Sequence, residues 1–282
     1  MPDASQRKFS IVLVAYNSSD VIGDAIKSVP PGHQVIVVDN ASSDGSVRIA
    51  RDLGADVVEL ETNLGFGTGC NRGAAIARHD AILFLNPDAR LEPGALDVLA
   101  TAMDKYPQAG AFSPRIMLES GKQRYADRNR LINDKRWLNE VPQADCEIPM
   151  APGAAVLFRR SVFEQLGGFD ERIFLFFEDV DISARLIKSG GHIWYIHDAV
   201  CTHAGASSSG SSSAMTEFRN YHFMLAQRYV SAKHGLIFGL PRRLVSQSLK
   251  YVMALVRNDE TRKAVARGRL RALFELSKPR RD

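Results

Sequence analysis

The feature that most constrains the fold is an alternation of two hydrophobic periods over residues 8–115. Near-continuous β-branched runs such as FSIVLVAYN and QVIVVDN are typical of strands buried on both faces of a parallel sheet. Between them lie segments with apolar residues at helical spacing, such as SSDVIGDAIKSV and PGALDVLATAMDKY. Strands that alternate with helices of this length indicate βαβ crossovers. The sequence therefore predicts an α/β fold with a doubly wound, mostly parallel, Rossmann-like sheet.

The regular alternation of strand and helix patterns ends after residue 115. Residues 118–147 are polar and charged, which predicts a loop or a short helical excursion. APGAAVLFRR then predicts a strand, SVFEQLGG a helix with capping-box spacing between Ser161 and Glu164, and HIWYIHDAV a late strand. The stretch HAGASSSGSSSAM predicts a flexible segment, and a helical C-terminal region follows it.

The charge is unevenly distributed. The net charge is +4, but residues 236–282 hold twelve Lys or Arg against four Asp or Glu, so this tail carries +8 and the rest −4. Cations interrupt every apolar run of the tail before it reaches the ~20 residues that a spanning helix needs. Two interpretations stay open: helices packed on the preceding domain, or a basic amphipathic surface on anionic lipid. Nucleic-acid binding is disfavoured, because no recognisable nucleic-acid module accompanies the basic stretch.

Cysteine usage and the N-terminal segment point to a reducing compartment. Cys70, Cys146 and Cys201 are far apart and lack CxxC spacing, which favours reduced thiols over a zinc site. The apolar run Phe9–Tyr16 is too short and wrongly flanked for a signal peptide. We therefore expect a cytoplasmic protein.

Polar residues follow several predicted strands. Asp39 and Asn40 end the second strand, and the fourth runs into Asn86 and Asp88. Ligands of open parallel sheets bind outside the carboxyl ends of the strands, so these residues are binding candidates. After the third strand, the glycine-rich TNLGFGTGCNRG predicts a close approach of the backbone to a ligand. There Asn63 and Asn71 are expected to supply hydrogen bonds at a helix start.

The stretch FLFFEDVDIS sets four large apolar residues, 174–177, directly before three carboxylates, Glu178, Asp179 and Asp181. One interpretation is a helix N-terminus, where carboxylates bind free N–H groups and match the helix dipole. The other is a catalytic base close to a cation site. Burial beside apolar side chains raises the proton affinity of a carboxylate.

Six ordered motifs decide between these interpretations: SIVLVAYNS, VIVVDNASSDGS, TNLGFGTGCNRG, LFLNPDAR, PGAAVLFRRSVFEQLGGFDERIFLFFEDVDISARL and CTHAGASS. In this order and spacing the chain resembles glycosyltransferase family 2, particularly its rhamnosyltransferase-like branch, over about residues 8–235. The resemblance implies a GT-A-type fold with a helical basic C-terminal extension. It predicts a glycosyltransferase domain over residues 1–235, with a nucleotide-sugar half (8–115) and an acceptor and catalytic half (116–210), and a basic amphipathic helical tail over 236–282.

The resemblance also assigns a donor site for a nucleotide-diphosphate sugar. Asp39 matches the family's contact to base and ribose, and Asp88 the last acid of its DxD motif, which binds Mg²⁺ or Mn²⁺ bridging the phosphates. Asn86 stands where the first acid of that motif would be. His203 matches a histidine that reaches the metal or the diphosphate. The predicted donor-site residues are Ala15, Tyr16, Asn17, Asp39, Asn63, Gly65, Asn71, Asn86 and Asp88, with Asp88 and His203 as metal ligands.

For catalysis, the resemblance implies an inverting transfer with Asp179 as the general base that deprotonates the acceptor hydroxyl. Glu178 would orient the acceptor or cap the helix, and both acids are predicted to be catalytic. Asp181 lies four residues before Arg185, which predicts a structural ion pair. The predicted acceptor-site residues are Gly153, Ala154, Glu178 and Asp179.

Substrate identity stays open at this level. The preferred donor is L-rhamnose from dTDP-rhamnose, and UDP-sugars, other deoxysugar donors or an inactive sugar-nucleotide-binding partner protein are the alternatives. The acceptor is expected to be a hydroxyl of a cell-surface glycan or a lipid-linked saccharide of the bacterial envelope. Such an acceptor would suit a peripheral contact with the inner face of the cytoplasmic membrane. The sequence does not determine the oligomeric state.

Overall fold

The computed structural model describes residues 7–131, 138–205 and 212–277. The centre of the predicted polar loop (132–137) and much of the predicted flexible stretch (206–211) lie outside the described residues. The chain divides into two compact units. The first comprises Met1–Glu171 and Glu178–Ser208, and the second comprises Arg172–Phe177 and Ser209–Asp282. Residues 212–235 group with the C-terminal helices in the second unit, and the predicted functional boundary at residue 235 stays a prediction.

The first unit alternates strands and helices, as its periodicity predicts. Its elements are β1 (Ser10–Ala15), α1 (Ile22–Lys27), β2 (Gln34–Asp39), α2 (Ser46–Asp52), β3 (Asp56–Glu59), α3 (Phe66–Ala75), β4 (Ala81–Leu85), β5 (Ala89–Leu91), α4 (Ala95–Lys105), β6 (Ala109–Leu118), β7 (Gln123–Arg124), β8 (Cys146–Glu147), β9 (Ala155–Arg159), α5 (Arg160–Gln165), α6 (Glu178–Lys188) and β10 (His192–His203).

These strands form one ten-stranded mixed sheet with the order β3-β2-β1-β4-β9-β6-β10-β5, and β7 and β8 pair at its side with β6 and β10. The β1–β2, β2–β3, β1–β4 and β6–β10 pairs are parallel. Strand β9 runs antiparallel to β4 and β6, and β5 runs antiparallel to β10. The predicted mostly parallel, doubly wound α/β sheet is confirmed.

Alternate residues of β1 belong to two separate hydrophobic cores, because successive strand side chains point to opposite faces. Ile11 and Leu13 pack in one core together with the inner residues of α1 and α4. Val12 and Val14 pack in the other with α3 and α6. A strand buried on both faces explains the continuous apolar run in the sequence.

Two glycines of the glycine-rich segment serve packing. A Cβ at Gly69 would lie 2.7 Å from Val14 Cγ1, and one at Gly73 would lie 2.4 Å from Val12 Cγ1. Both distances are too short for real atoms, so only glycine lets α3 lie this close to β1. The prediction that the whole segment brings backbone to a ligand is therefore wrong for these two positions.

The predicted capping box of α5 is also wrong. The helix begins at Arg160 after the extended residue Arg159, so Ser161 lies inside the helix, where its hydroxyl is not the N-cap. Glu164 instead accepts a hydrogen bond from Arg160 Nε at 2.8 Å. The helix starts two residues earlier than the capping box predicts, because it continues directly from β9.

The second unit contains α7 (Ser213–Lys233), α8 (Leu240–Val256), α9 (Glu260–Ser277) and residues 172–177. A small core of Met224, Phe238, Ala272 and Leu273 holds the helices together. Gly268 lets α9 approach α7 closely, since a Cβ there would lie 2.2 Å from the Glu217 carbonyl oxygen. The predicted helical C-terminal extension is confirmed. None of the described helices combines the length and the apolarity that crossing a membrane requires.

Candidate active site

Asp39 lies at the carboxyl end of β2, where the sheet places its strand-end residues. Its Oδ2 accepts a hydrogen bond from the Ser42 N–H at 3.0 Å. Its Oδ1 is buried and has no hydrogen-bond partner among the described residues. A buried oxygen left without a partner costs free energy, so this atom is suited to accept a hydrogen bond from a ligand.

The residues after β1 lie directly beside Asp39. Ala15 is in register with Asp39, and its carbonyl accepts a hydrogen bond from the Asn40 N–H at 2.8 Å. Tyr16 is partly buried, and Asn17 adopts a left-handed backbone with φ of 50°. Asn17 Oδ1 accepts from the Ser43 N–H at 2.8 Å, which ties this turn to the loop after β2. The predicted residues of the first two strand ends therefore come together.

The turn before α3 is built from amide hydrogen bonds. Gly65, at φ of 88°, precedes the first residue of α3, and its N–H donates to Asn63 Oδ1 at 3.0 Å. Asn40 clamps the same turn by donating to the Gly65 carbonyl at 3.2 Å and accepting from the Leu64 N–H at 2.8 Å. Asn40, noted in the sequence only as a strand-end residue, thereby connects the turn to β2.

Asn71 is placed differently from the other predicted donor-site residues. Its amide accepts from the Phe169 N–H and donates to the Phe169 carbonyl, both at 2.9 Å. These two bonds brace the turn after α5, where Gly168 has a φ of 70°. Both ends of the Asn71 amide are thus occupied by backbone in this structure.

Asp88 and His203 meet because β5 pairs antiparallel with the end of β10, with Ala89 opposite His203. His203 Nε2 lies 3.1 Å from Asp88 Oδ1, and the two side chains are only 5% and 2% exposed. Asn86 Nδ2 lies 3.5 Å from the same ring nitrogen. His203 Nδ1 is buried without a partner among the described residues. The predicted metal ligands are therefore neighbours in a buried polar cluster.

The pair fits a divalent cation as part of its coordination shell. Adjacent ligands of an octahedral ion with bonds of about 2.1 Å lie about 3 Å apart, close to the separation of the Asp88 oxygen and the His203 nitrogen. Across the described residues, no group of three or more His, Cys, Asp or Glu side chains could hold a metal. Further ligands would have to be phosphate oxygens and water, as is usual for Mg²⁺ in sites that bind phosphate esters.

The acidic start of α6 forms a second polar cluster. Asp179 Oδ2 accepts from the Gly153 N–H at 2.9 Å, and Oδ1 accepts from the Val180 N–H at 2.8 Å. Burial raises the pKa of the Asp179 carboxyl above its usual value, although both hydrogen bonds and the charge of Arg124 oppose the rise. A base with a raised pKa takes up a proton more readily than an ordinary aspartate.

Glu178 is the more deeply buried of the two acids. Burial and the neighbouring charge of Asp179 raise the pKa of its carboxyl to about 8, and its Oε2 is buried without a partner among the described residues. Gly67 borders this side chain, since a Cβ there would lie 3.8 Å from Glu178 Cβ. Burial and the neighbouring charge therefore favour the protonated form of Glu178 at neutral pH.

Asp181 has a structural role. Its Oδ2 accepts from Arg185 Nε at 2.8 Å, and the Asp181 side chain is fully buried. The same guanidinium donates to the Leu166 and Gly168 carbonyls at 2.6 and 2.7 Å. The predicted ion pair is confirmed, and it ties α6 to the turn that follows α5.

Two consecutive residues before β9 connect the clusters. Gly153 donates its N–H to Asp179, and the Ala154 carbonyl accepts from the Asn86 N–H at 2.9 Å. Asn86 lies two residues before Asp88. The predicted acceptor-site residues and the predicted metal ligands are therefore brought together within the first unit.

Sequence reasoning missed two residues near the acidic start of α6. Asn129 Nδ2 donates to the Val180 carbonyl at 3.0 Å, so part of the non-periodic polar segment anchors the first turn of α6. Arg124, on the short strand β7, lies close enough for its charge to act on Asp179. Neither residue has a periodic or motif signal that could have identified it.

The apolar residues before Glu178 form ring contacts within the second unit. Phe174 lies 4.3 Å from the His222 ring and Phe177 lies 5.0 Å from the Phe223 ring, both on α7. Phe176 and Phe177 have φ values of 68° and 71°, which is strained for non-glycine residues.

Comparison with known proteins identifies the family. The model of the family described as Glycosyl transferase family 2 matches residues 10–167, which is more than half of the chain. The chain belongs to glycosyltransferase family 2. It is accordingly an inverting glycosyltransferase, and the resemblance drawn from its motifs is confirmed.

Two relatives of this glycosyltransferase are rhamnosyltransferases. It is 31% identical over 231 residues to N-acetylglucosaminyl-diphospho-decaprenol L-rhamnosyltransferase of Mycobacterium tuberculosis, covering 69% of this chain and 75% of that protein. It is 25% identical over 270 residues to the O-antigen chain rhamnosyltransferase RfbN of Salmonella typhimurium, covering 87% and 82%.

The fold of the glycosyltransferase is that of GT-A enzymes. The mannosyltransferase PcManGT of Pyrobaculum calidifontis, solved with GDP-Man and Mn²⁺, superposes with a TM-score of 0.57. The sequences are 18% identical, and the match covers 98% of this chain and 88% of that one. The predicted GT-A-type architecture is confirmed.

Proposed function

We propose that this glycosyltransferase moves L-rhamnose from dTDP-rhamnose to a hydroxyl of a cell-surface glycan or a lipid-linked saccharide. The observation that carries the proposal is the connection through Gly153 and Ala154 between the buried acids of α6 and the Asp88–His203 pair. A base and a leaving-group site must lie within one substrate length of each other for a direct displacement. Both relatives are named as rhamnosyltransferases, which supports rhamnose as the donor sugar.

The donor side consists of the strand ends and the α3 turn. The unpartnered Asp39 Oδ1 accepts a hydrogen bond from the nucleoside, and the turns at 15–17 and 63–65 border the same ligand. Asp88 and His203 hold Mg²⁺ or Mn²⁺, with Asn86 beside them. When bound, the cation neutralises the diphosphate and stabilises it as the leaving group. The unpartnered His203 Nδ1 carries the ring proton when Nε2 holds the cation, and it donates a further hydrogen bond to the donor or to water.

Asp179 is the proposed general base. It takes the proton of the acceptor hydroxyl while that oxygen attacks the anomeric carbon from the side opposite the diphosphate. The new glycosidic bond forms as the bond to the phosphate oxygen breaks, and the electron pair leaves with the nucleoside diphosphate. The N–H groups of Gly153 and Val180 fix the orientation of the carboxylate. Glu178, which keeps its proton, donates a hydrogen bond from the unpartnered side of its carboxyl to the acceptor.

The acceptor is a saccharide that carries a free hydroxyl, attached to a growing glycan or to a lipid diphosphate. The name of the mycobacterial relative includes a decaprenol-linked acceptor, which favours the lipid-linked form. Gly153 and Ala154 border this subsite because Gly153 contacts the proposed base. A lipid-linked acceptor implies that the enzyme works at the cytoplasmic face of the membrane. The tail is the part proposed to make that contact.

Thermal shift with a panel of sugar nucleotides, with and without Mg²⁺ or Mn²⁺, tests the donor assignment. We expect dTDP-rhamnose to raise the melting temperature most, and only when metal is present, because a ligand that binds the native state stabilises it. If a UDP-sugar gave a larger, metal-dependent rise in melting temperature than dTDP-rhamnose, the donor would be that UDP-sugar. Donor binding without turnover on any saccharide or lipid-linked acceptor would indicate an inactive binding protein.

A further inference from the structure

Helix α8 turns its apolar side to solvent. Five side chains at spacings of four, seven, eight and eleven residues along one face are between 51% and 83% exposed: Val245, Leu249, Val252, Met253 and Val256. Residues at these spacings share one face of a helix. We call these five residues the α8 stripe. Ile237, just before the helix, is 97% exposed.

The opposite face of α8 is buried and partly polar. Gln247 is 7% exposed, and its Oε1 has no hydrogen-bond partner among the described residues. Ala254, on the same face, is 1% exposed. Leu240 and Leu244 also pack against the small core, so α8 has apolar residues on its inner and its outer side. A surface helix of a globular protein normally has polar residues on its outer side. A contiguous exposed apolar face of this kind marks an interaction surface.

The charged side chains of α8 and its flanking residues 234–257 all have the same sign. Residues 234–257 contain no Asp or Glu and four cations, Arg242, Arg243, Lys250 and Arg257. Arg243 is occupied by the Phe238 carbonyl and the Gln227 side chain, at 2.6 and 2.9 Å. The other three are exposed and form no ion pair with any residue that the structure describes. The surface therefore combines apolar contact with uncompensated positive charge.

We propose that the α8 stripe lies in the interface of an anionic lipid bilayer, with its valine and leucine side chains among the acyl chains and its flanking cations on the headgroups. Interfacial helices show this arrangement of an apolar face and basic flanks. A second copy of the chain suits the surface less well, because two such faces would bring like charges together. The inference rests on α8 alone and does not depend on the donor or the base.

The test is flotation of the full chain with vesicles of phosphatidylcholine, with and without phosphatidylglycerol, at low and high salt. We expect binding to the anionic vesicles, weakened by salt. In Leu249→Gln/Val252→Gln the affinity should fall on the order of tenfold per side chain, because each loses its apolar transfer energy. Lys250→Gln should weaken it roughly fivefold, the equivalent of about 1 kcal/mol per cation near an anionic surface.

The matched controls are Leu53→Gln and Ile76→Gln, which remove exposed apolar side chains of the first unit, 36% and 42% exposed. Both should float like the unmodified chain. Turnover on a water-soluble acceptor should be the same in all of these variants. Stripe variants that lose vesicle binding but keep this turnover would support the proposal whether or not the lipid-linked acceptor is correct.

A fluorescence measurement keeps the test independent of variant stability. Val256 is 83% exposed, so Val256→Trp should be tolerated, and its emission should be quenched by brominated lipid in anionic vesicles. Ile76→Trp should not be quenched. Absence of flotation of the unmodified chain, or equal flotation of the stripe variant, would overturn the proposal. So would a dimer of the unmodified chain that the stripe substitutions dissociate, since the second copy would then be the occupant.

Discussion

The two acidic clusters of the active site differ in the groups that compensate their buried carboxylates. At the end of β10, Asp88 has an imidazole nitrogen at 3.1 Å and an amide nearby. At the start of α6, Asp179 accepts from two backbone N–H groups, and the neighbouring Glu178 has a buried oxygen without a partner among the described residues. In the first cluster, Asp88 and His203 are placed so that both could bind the same cation. The second leaves its charge poorly compensated, and poor compensation favours proton uptake.

The partners of each buried acid indicate its role. Asp181 gives the reference, since it is buried in the same helix as Glu178 and Asp179 but is paired with Arg185 at 2.8 Å. A paired acid stabilises the fold, an acid beside a nitrogen ligand suits a metal, and an unpaired one suits proton transfer. Substitutions at Asp88, Glu178, Asp179 and Asp181 therefore test these separate roles.

The largest expected effect is at Asp179. In Asp179→Asn the proposed base is lost, and turnover should fall by ~10² to 10⁴-fold, the usual contribution of general base catalysis. Donor affinity measured by calorimetry should be unchanged, because the metal ligands lie in the other cluster. Asparagine has one acceptor oxygen for the two N–H groups that Asp179 binds, so the variant should also lose on the order of 1 kcal/mol in the free energy of unfolding.

Asp52→Asn is the matched control for this substitution, since Asp52 is an exposed carboxylate on α2. It should leave turnover and donor binding unchanged. Near-normal turnover of Asp179→Asn on the natural acceptor would refute the assignment of the base.

The next effect is on stability, at Asp181. Asp181→Asn leaves the Arg185 guanidinium without its carboxylate, and breaking a buried pair costs about 3 kcal/mol or more in the free energy of unfolding. Urea unfolding measures this loss. The remaining folded enzyme should keep its donor affinity. A loss below about 0.5 kcal/mol, the size expected of the Asp52 control, would mean that the pair is not a structural support.

The sequence predicts the order of the early elements because βαβ periodicity is local and each strand is buried on both faces. Asp39 and Asp88 were predicted for the same reason, since parallel strand ends share one edge of the sheet. The contact between Asp88 and His203 depends on the pairing of β5 with β10, which joins residues more than a hundred positions apart. No local pattern encodes that pairing, and only the family resemblance suggested it.

Other features of the structure could not be predicted from the sequence, for physical reasons. A glycine that admits a ligand and a glycine that admits a valine look alike in sequence, so Gly69 and Gly73 were misinterpreted. Asn129 anchors α6 from a segment without hydrophobic period, and such segments predict nothing about their partners. The outward apolar face of α8 emerges only when the buried side of the helix is known.

The third expected effect is a pH dependence of the free energy of unfolding, caused by Glu178. Its pKa is raised to about 8 in the folded protein from an ordinary value of 4.5, so the native state binds more protons than the unfolded state between these values. The stability of the unmodified enzyme should therefore decline as pH rises through this window. Glu178→Gln has no proton to lose, so its stability relative to the unmodified enzyme should increase by up to about 1.4 kcal/mol per pH unit within this window.

Urea unfolding at a series of pH values checks this prediction. The control is Glu61→Gln, an exposed carboxylate, whose difference from the unmodified enzyme should be small and constant. A constant difference for Glu178→Gln across the window would show that Glu178 is ionised in the fold. The two acidic clusters would then not differ in the way proposed.

The smallest expected effect separates the metal from the base. Asp88→Ala removes one proposed ligand, and donor affinity measured by calorimetry in Mn²⁺ or Mg²⁺ should fall roughly tenfold or more, the scale seen when a metal shell is disturbed. With EDTA present, the variant and the unmodified enzyme should bind the donor equally, because neither then has the cation. His203→Ala should show the same pattern, and Asp179→Asn should not. Unchanged binding by Asp88→Ala in the presence of metal would leave the pair with His203 as a structural contact, and the cation would have to be sought elsewhere on the donor.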